Sequence, residues 1–139
     1  MILDKAATVD EALNLLRQYD MCSSAGGCYH FQIADANGFS VIVEYIEDEL
    51  IVLEGDYATN FLLAPGEWYN VGGGQARYEI LAETLTSTGG LLSPKQGMDL
   101  LSAVKQDSTQ WSVIYNLTNR NAELCLHKNF DEPYYFELK

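Results

Sequence analysis

The sequence predicts an α+β fold, an antiparallel sheet with helices packed on one face, and three observations carry that reading. Helical and alternating patterns occur in blocks, as a helix, three strands, two helices and three strands, and not in the strict strand-helix alternation of parallel sheets. The strands within each block are separated by short turn signals, which join antiparallel neighbours. A chain of 139 residues, 47% hydrophobic and 20% charged, has the size of a single globular domain over 1-139 with room for a core.

The first helix is expected near 8-19. Thr8-Val9-Asp10-Glu11 reads as a capping box, and Val9, Ala12, Leu13 and Leu16 form one apolar stripe behind it. Asp20 to Gly27 is small and polar and reads as a loop. From Cys28 the period falls to two, with Tyr29, Phe31 and Ile33 on one face and His30, Gln32 and Ala34 on the other. Asn37-Gly38 supplies a turn, Phe39 to Tyr45 returns as the second strand, and Leu50 to Leu53 follows the acidic turn Glu47-Asp48-Glu49. Residues 64-74, with Pro65, Gly66 and Gly72-Gly73-Gly74, read as a flexible connection.

A second helix is expected over 75-86, where Tyr78, Leu81, Ala82 and Leu85 share a face. A third follows the capping box Ser93-Pro94-Lys95-Gln96, which has proline at the first helical position. Trp111 to Thr118 and Ala122 to Lys128 flank Asn119-Arg120-Asn121 as a hairpin, and Tyr134 to Leu138 supplies a last strand.

Charge narrows the partners. Eight basic residues against 20 acidic ones leave a formal charge of -12, which repels phosphate backbones and anionic headgroups, so neither nucleic acid nor a membrane is an expected partner. The sequence has no apolar run of about 20 residues and no signal-peptide pattern at Met1 to Lys5, and a soluble cytoplasmic protein is expected. Cys22, Cys28 and Cys125 do not combine with the two histidines into a tight zinc spacing. Reduced thiols and no metal or cofactor are the expectation.

Helices on one side leave the other side of a sheet to be covered. Val41, Val43, Trp111, Val113 and Tyr115 are too apolar for open water. A second layer from another chain is therefore expected.

Several short motifs then stand in a recognisable order. His30 to Gly38 followed by Val41-Ile42-Val43-Glu44, then Thr59-Asn60-Phe61, Arg77-Tyr78, and Trp111 to Leu117 together resemble the choloylglycine hydrolase and penicillin V acylase family. They are closer still to its acyl-coenzyme A:6-aminopenicillanate acyltransferase group. The resemblance spans about residues 8-138. It implies part of a four-layer α-β-β-α sandwich of the N-terminal-nucleophile hydrolases, acting on linear amide bonds of acyl amino acids, bile salts or penicillins.

In such enzymes an N-terminal cysteine attacks the amide carbonyl, with its own amino group as base. Here Ile2 follows Met1, and the family's N-terminal half, which bears that cysteine and an early aspartate, is not among these residues. The resemblance thus implies the C-terminal portion of an amide hydrolase, inactive without its nucleophile-bearing segment. A non-catalytic homodimeric binding or scaffold module derived from the same fold is the alternative.

The resemblance assigns Asn60 to the scissile bond, where an amide N–H stabilises an oxyanion; the competing reading is an asparagine bonded to its own loop. It makes Arg77 an active-site arginine orienting the nucleophile or the carbonyl, against a helix-start arginine paired with a surface carboxylate. Cys28 after Gly26-Gly27 is a candidate self-exposed nucleophile, against a small apolar strand residue. His30 and His127 receive no role. Asp35 reads as a turn acceptor, Glu44 as an exposed strand end, and Tyr134-Tyr135-Phe136 as core and interface.

Overall fold

A computed structural model describes residues 2–19 and 30–137. Among these the elements run in the expected blocks: a helix, three strands, a two-stranded ribbon, two helices and three strands. The fold is α+β and every strand pairing is antiparallel. The expected single sheet is instead three separate sheets. The chain divides into two compact units, Met1–Gln75 and Ala76–Lys139.

The first unit opens with α1, Val9–Leu16. Thr8 caps it by accepting the Glu11 N–H at 3.3 Å. Glu11 reaches back to the Ala7 N–H at 2.7 Å, one residue before the cap, so the reciprocal half of the expected box is shifted by one position. The helix stops at Leu16, with Arg17 as its C-cap.

Strands β1 (His30–Ala34), β2 (Ser40–Ile46) and β3 (Glu49–Glu54) form a meander in that order. The β2–β3 turn places Glu47 and Asp48 at φ 51° and 66°. Two consecutive positive angles match the strand twist in a two-residue hairpin, although neither residue is glycine. Val9, Leu13, Leu16 and Val43 form the buried core, joined by Ile33, Val41, Tyr45 and Leu50. Val41 and Val43, expected on a bare face, therefore lie beneath α1. The opposite face, carrying Ile42 and Glu44, is met by a later segment of the same unit.

That segment is a ribbon of β4 (Asn60–Phe61) and β5 (Gly72–Gly73), within and beside a stretch expected to be flexible. Asn60 pairs with Gly73 and Phe61 with Gly72. Hydrogen bonds from the Leu62 N–H to the Val71 carbonyl and from the Asn70 N–H to the Leu62 carbonyl continue it. The strands approach so closely that a Cβ on Gly72, whose φ is 127°, would lie 2.1 Å from the Asn60 carbonyl oxygen. Only glycine fits there.

Helix α2 spans Gln75–Thr88 and buries no residue fully; Tyr78, Leu81, Ala82 and Leu85 are half-buried. Helix α3, Pro94–Ala103, carries a complete Ser93–Gln96 capping box with proline in its first turn. Strands β6 (Trp111–Asn116), β7 (Asn121–Leu126) and β8 (Tyr134–Glu137) form the second meander. Its inner face meets α3: a Cβ on Gly97 would lie 3.0 Å from Ile114 Cδ1. Met98 and Cys125 are buried.

Candidate functional site

The geometry converges on Asn60 and the segment behind it. Asn60 is exposed at the start of β4, while Phe61, Leu62 and Ala64 are buried. Alternation along a strand produces this arrangement, with one side chain facing out beside an anchored neighbour. Thr59 adds a hydrogen bond from its hydroxyl to the Gly74 carbonyl at 3.1 Å. Asn60 is thus presented outward from a backbone held on both sides.

The anchor behind it is Glu44. Expected as an exposed strand end, it is instead fully buried, at 0% exposure. Its carboxylate accepts the Leu63 N–H and the Ala64 N–H, both at 2.8 Å, one on each oxygen. His30 Nδ1 lies 3.2 Å from the oxygen that also serves Leu63. His30 is the cross-strand partner of Glu44, so the two side chains emerge on the same face of the meander.

A buried carboxylate is tolerated when donors saturate it, and no buried side-chain polar atom among the described residues lacks a hydrogen-bond partner. Loss of this acceptor would strand two backbone N–H groups, at roughly 1–3 kcal/mol each if they stay dry.

The sequence motif from His30 to Glu44 thus contains both ends of this part-buried contact. Counting alternation from the core residues Val41 and Val43 would have put Glu44 on the other face of β2 from α1. It could not have shown that residues 63–64 would cover that face. His30 lies within β1 as expected. His127 is exposed just after β7 at φ 51°, in a left-handed turn and not inside a strand.

Asp35 does act as a turn acceptor, taking the Asn37 N–H at 2.8 Å and the Phe39 N–H at 3.4 Å. It also accepts the Val9 N–H at the start of α1, at 3.0 Å. That Val9 bond is the largest cause holding its carboxyl below the usual aspartate value, with the turn amides adding to it against opposing desolvation.

Arg77 is half-buried in the first turn of α2. It belongs to the second unit, whereas Asn60 belongs to the first. Cys28 lies outside the described residues. Cys125 is fully buried, and burial pushes its thiol up, away from a reactive thiolate. Tyr134, Tyr135 and Phe136 are exposed rather than core.

No family model, curated protein or solved structure matches the chain. No helix among the described residues is long and apolar enough to cross a membrane.

Proposed function

We propose that this chain is the C-terminal portion of a cysteine N-terminal-nucleophile hydrolase acting on linear amide bonds, with the nucleophile carried outside these 139 residues. The observation that carries the proposal is the open face of the second meander. Trp111 and Tyr115 on β6, and Tyr134 and Phe136 on β8, are 66%, 59%, 57% and 47% exposed. By strand register they lie on one face, with Leu124 and Leu126 between them. Such a continuous apolar surface is what a sheet shows when a second layer is missing. The α-β-β-α sandwich supplies that layer as another sheet.

In this reading Asn60 donates its side-chain N–H to the oxyanion; a role for Arg77 in orienting the nucleophile or the substrate carbonyl rests on the sequence resemblance alone. The outward placement of Asn60 on an anchored strand suits that task, because an oxyanion donor must be fixed before charge develops.

The test is co-expression with a nucleophile-bearing N-terminal segment of such a hydrolase, followed by assay on acylated amino acids and penicillin V. The complex is expected to hydrolyse them, and Asn60→Ala to slow it by roughly 100-fold. A complex in which Asn60→Ala is as fast as wild type removes Asn60 from the mechanism.

The same open face favours a second reading, a non-catalytic homodimer whose copies cover each other's aromatic residues. Molar mass by light scattering on the chain alone separates the two. A dimer dispersed by Trp111→Ser supports the scaffold reading, and a soluble monomer that gains a partner only on co-expression supports the hydrolase reading.

A further inference from the structure

We propose that Glu44 is a positioning residue for Asn60, its buried carboxylate fixing the β4–β5 ribbon against the first meander. This rests on the reading of Asn60 as an oxyanion donor. The ribbon's own pairing fixes Asn60 relative to Gly73, and Glu44 ties the backbone just beyond Asn60 to the sheet beneath. Glu44 projects from the middle of β2 and grips the two consecutive backbone N–H groups of Leu63 and Ala64, three and four residues beyond Asn60.

A further polar link from the ribbon's loop to the meander is a bond from Trp68 Nε1 to Glu47 at 3.3 Å, on the exposed rim. A solvent-exposed bond of that kind restrains little. The Glu44 bonds are charge-assisted, that to Ala64 buried and that to Leu63 partly buried, and charge assistance makes them shorter and stronger than neutral ones.

His30 completes the device. In its Nδ1–H tautomer His30 donates to Glu44 Oε1 across 3.2 Å, since a carboxylate only accepts. The ring thereby limits rotation of the carboxylate away from the two amides. Glutamate meets the requirement because its two oxygens serve two adjacent N–H groups at once. A glutamine of the same shape has one oxygen and an amide nitrogen, which would face a second donor.

The experiment is performed on the full chain, by proton–nitrogen correlation spectra and amide hydrogen exchange in wild type and Glu44→Gln. Exchange of the Leu63 and Ala64 amides is expected to accelerate by at least tenfold, and the side-chain amide signals of Asn60 to shift. Amides of α1 and of β7 around Cys125 should keep their wild-type protection. His30→Gln, a milder change, should move the same signals in the same direction by less. It also keeps the test decisive if Glu44→Gln does not fold.

Unchanged Asn60 signals in the folded variants overturn the proposal. So does loosening that extends equally through α1 and β7, which would make Glu44 a general stability residue.

In the active complex, Glu44→Gln should lower kcat by about tenfold with little change in KM, and should slow the Asn60→Ala enzyme no further. Full additivity of the two substitutions overturns action through Asn60. A complex inactive from the outset, with the spectral shifts intact, overturns the amidase reading and still supports Glu44 as the group that positions Asn60.

Discussion

The two three-stranded meanders have the same topology and close their faces differently. In the first, α1 covers the Val41–Val43 face, and the ribbon segment meets the other through the buried carboxylate of Glu44. In the second, α3 covers the Ile114–Cys125 face, and the opposite face carries four exposed aromatic residues. Closure within the first unit required a polar group in the core, because the covering backbone brings N–H groups that need acceptors. The second unit avoids that requirement and keeps apolar area in contact with water.

The size of that area decides what can cover it. If each of the four aromatic side chains loses about 100 Å² at roughly 25 cal/mol per Å², the gross gain is about 10 kcal/mol. Association costs about 4–15 kcal/mol in lost freedom. Self-pairing buries the four residues of both copies and doubles the gross gain to about 20 kcal/mol, so a second copy and a partner with an apolar layer of its own are both strong enough to cover the face.

The sharpest way to break the comparison is a pair of truncations. Leu16, 1% exposed beneath the first meander, should cost about 3 kcal/mol on Leu16→Ala, since the cavity adds to the lost transfer energy. Trp111→Ser removes a larger side chain but should change stability by less than about 0.5 kcal/mol, because its site is already wet. Urea denaturation of the isolated chain checks both. A cost for Trp111→Ser approaching that of Leu16→Ala would mean that the outer face of the second meander is not open.

A smaller effect is expected at the helix starts. Ser93→Ala removes the acceptor for the Gln96 N–H and one anchor of the Gln96 side chain, and Thr8→Ala removes the acceptor for the Glu11 N–H. Each should cost about 1 kcal/mol. Hydrogen exchange should place the first loss in α3 and the second in α1.

What was readable from the sequence followed local physics. Ser93-Pro94 and Thr8 named their helix starts, the apolar stripe of α1 named its buried face, and the hairpin turns marked both meanders. Long-range pairing was not readable. Gly72-Gly73 looked like slack chain because nothing local reveals that a glycine is required where a second strand crosses at Asn60. Glu44 looked exposed because charge alone argues for solvent, and only residues 63–64, far along the chain, supply the donors that make burial possible. The same limit applies to the candidate site: the motif order named Asn60 and Arg77, while its support at Glu44, His30 and Gly72 emerged only from the fold.

The smallest effect separates the two helix starts by pH. The N-terminus of α1 is tied to a carboxylate, since Asp35 accepts the Val9 N–H, whereas α3 is closed by the neutral Ser93–Gln96 box. Asp35 titrates below its ordinary value when folded. Its contribution is therefore complete above the unfolded aspartate value, about pH 4, and is lost as pH falls through the lowered folded value. On acidification the Val9 amide should lose protection before the Gln96 amide does. Asp35→Asn, which keeps the shape but not the charge, should flatten that acid response, and its stability should converge with wild type as pH drops below about 4. Equal pH sensitivity at Val9 and Gln96 in wild type would show that the carboxylate does not hold the first helix to the β1–β2 turn.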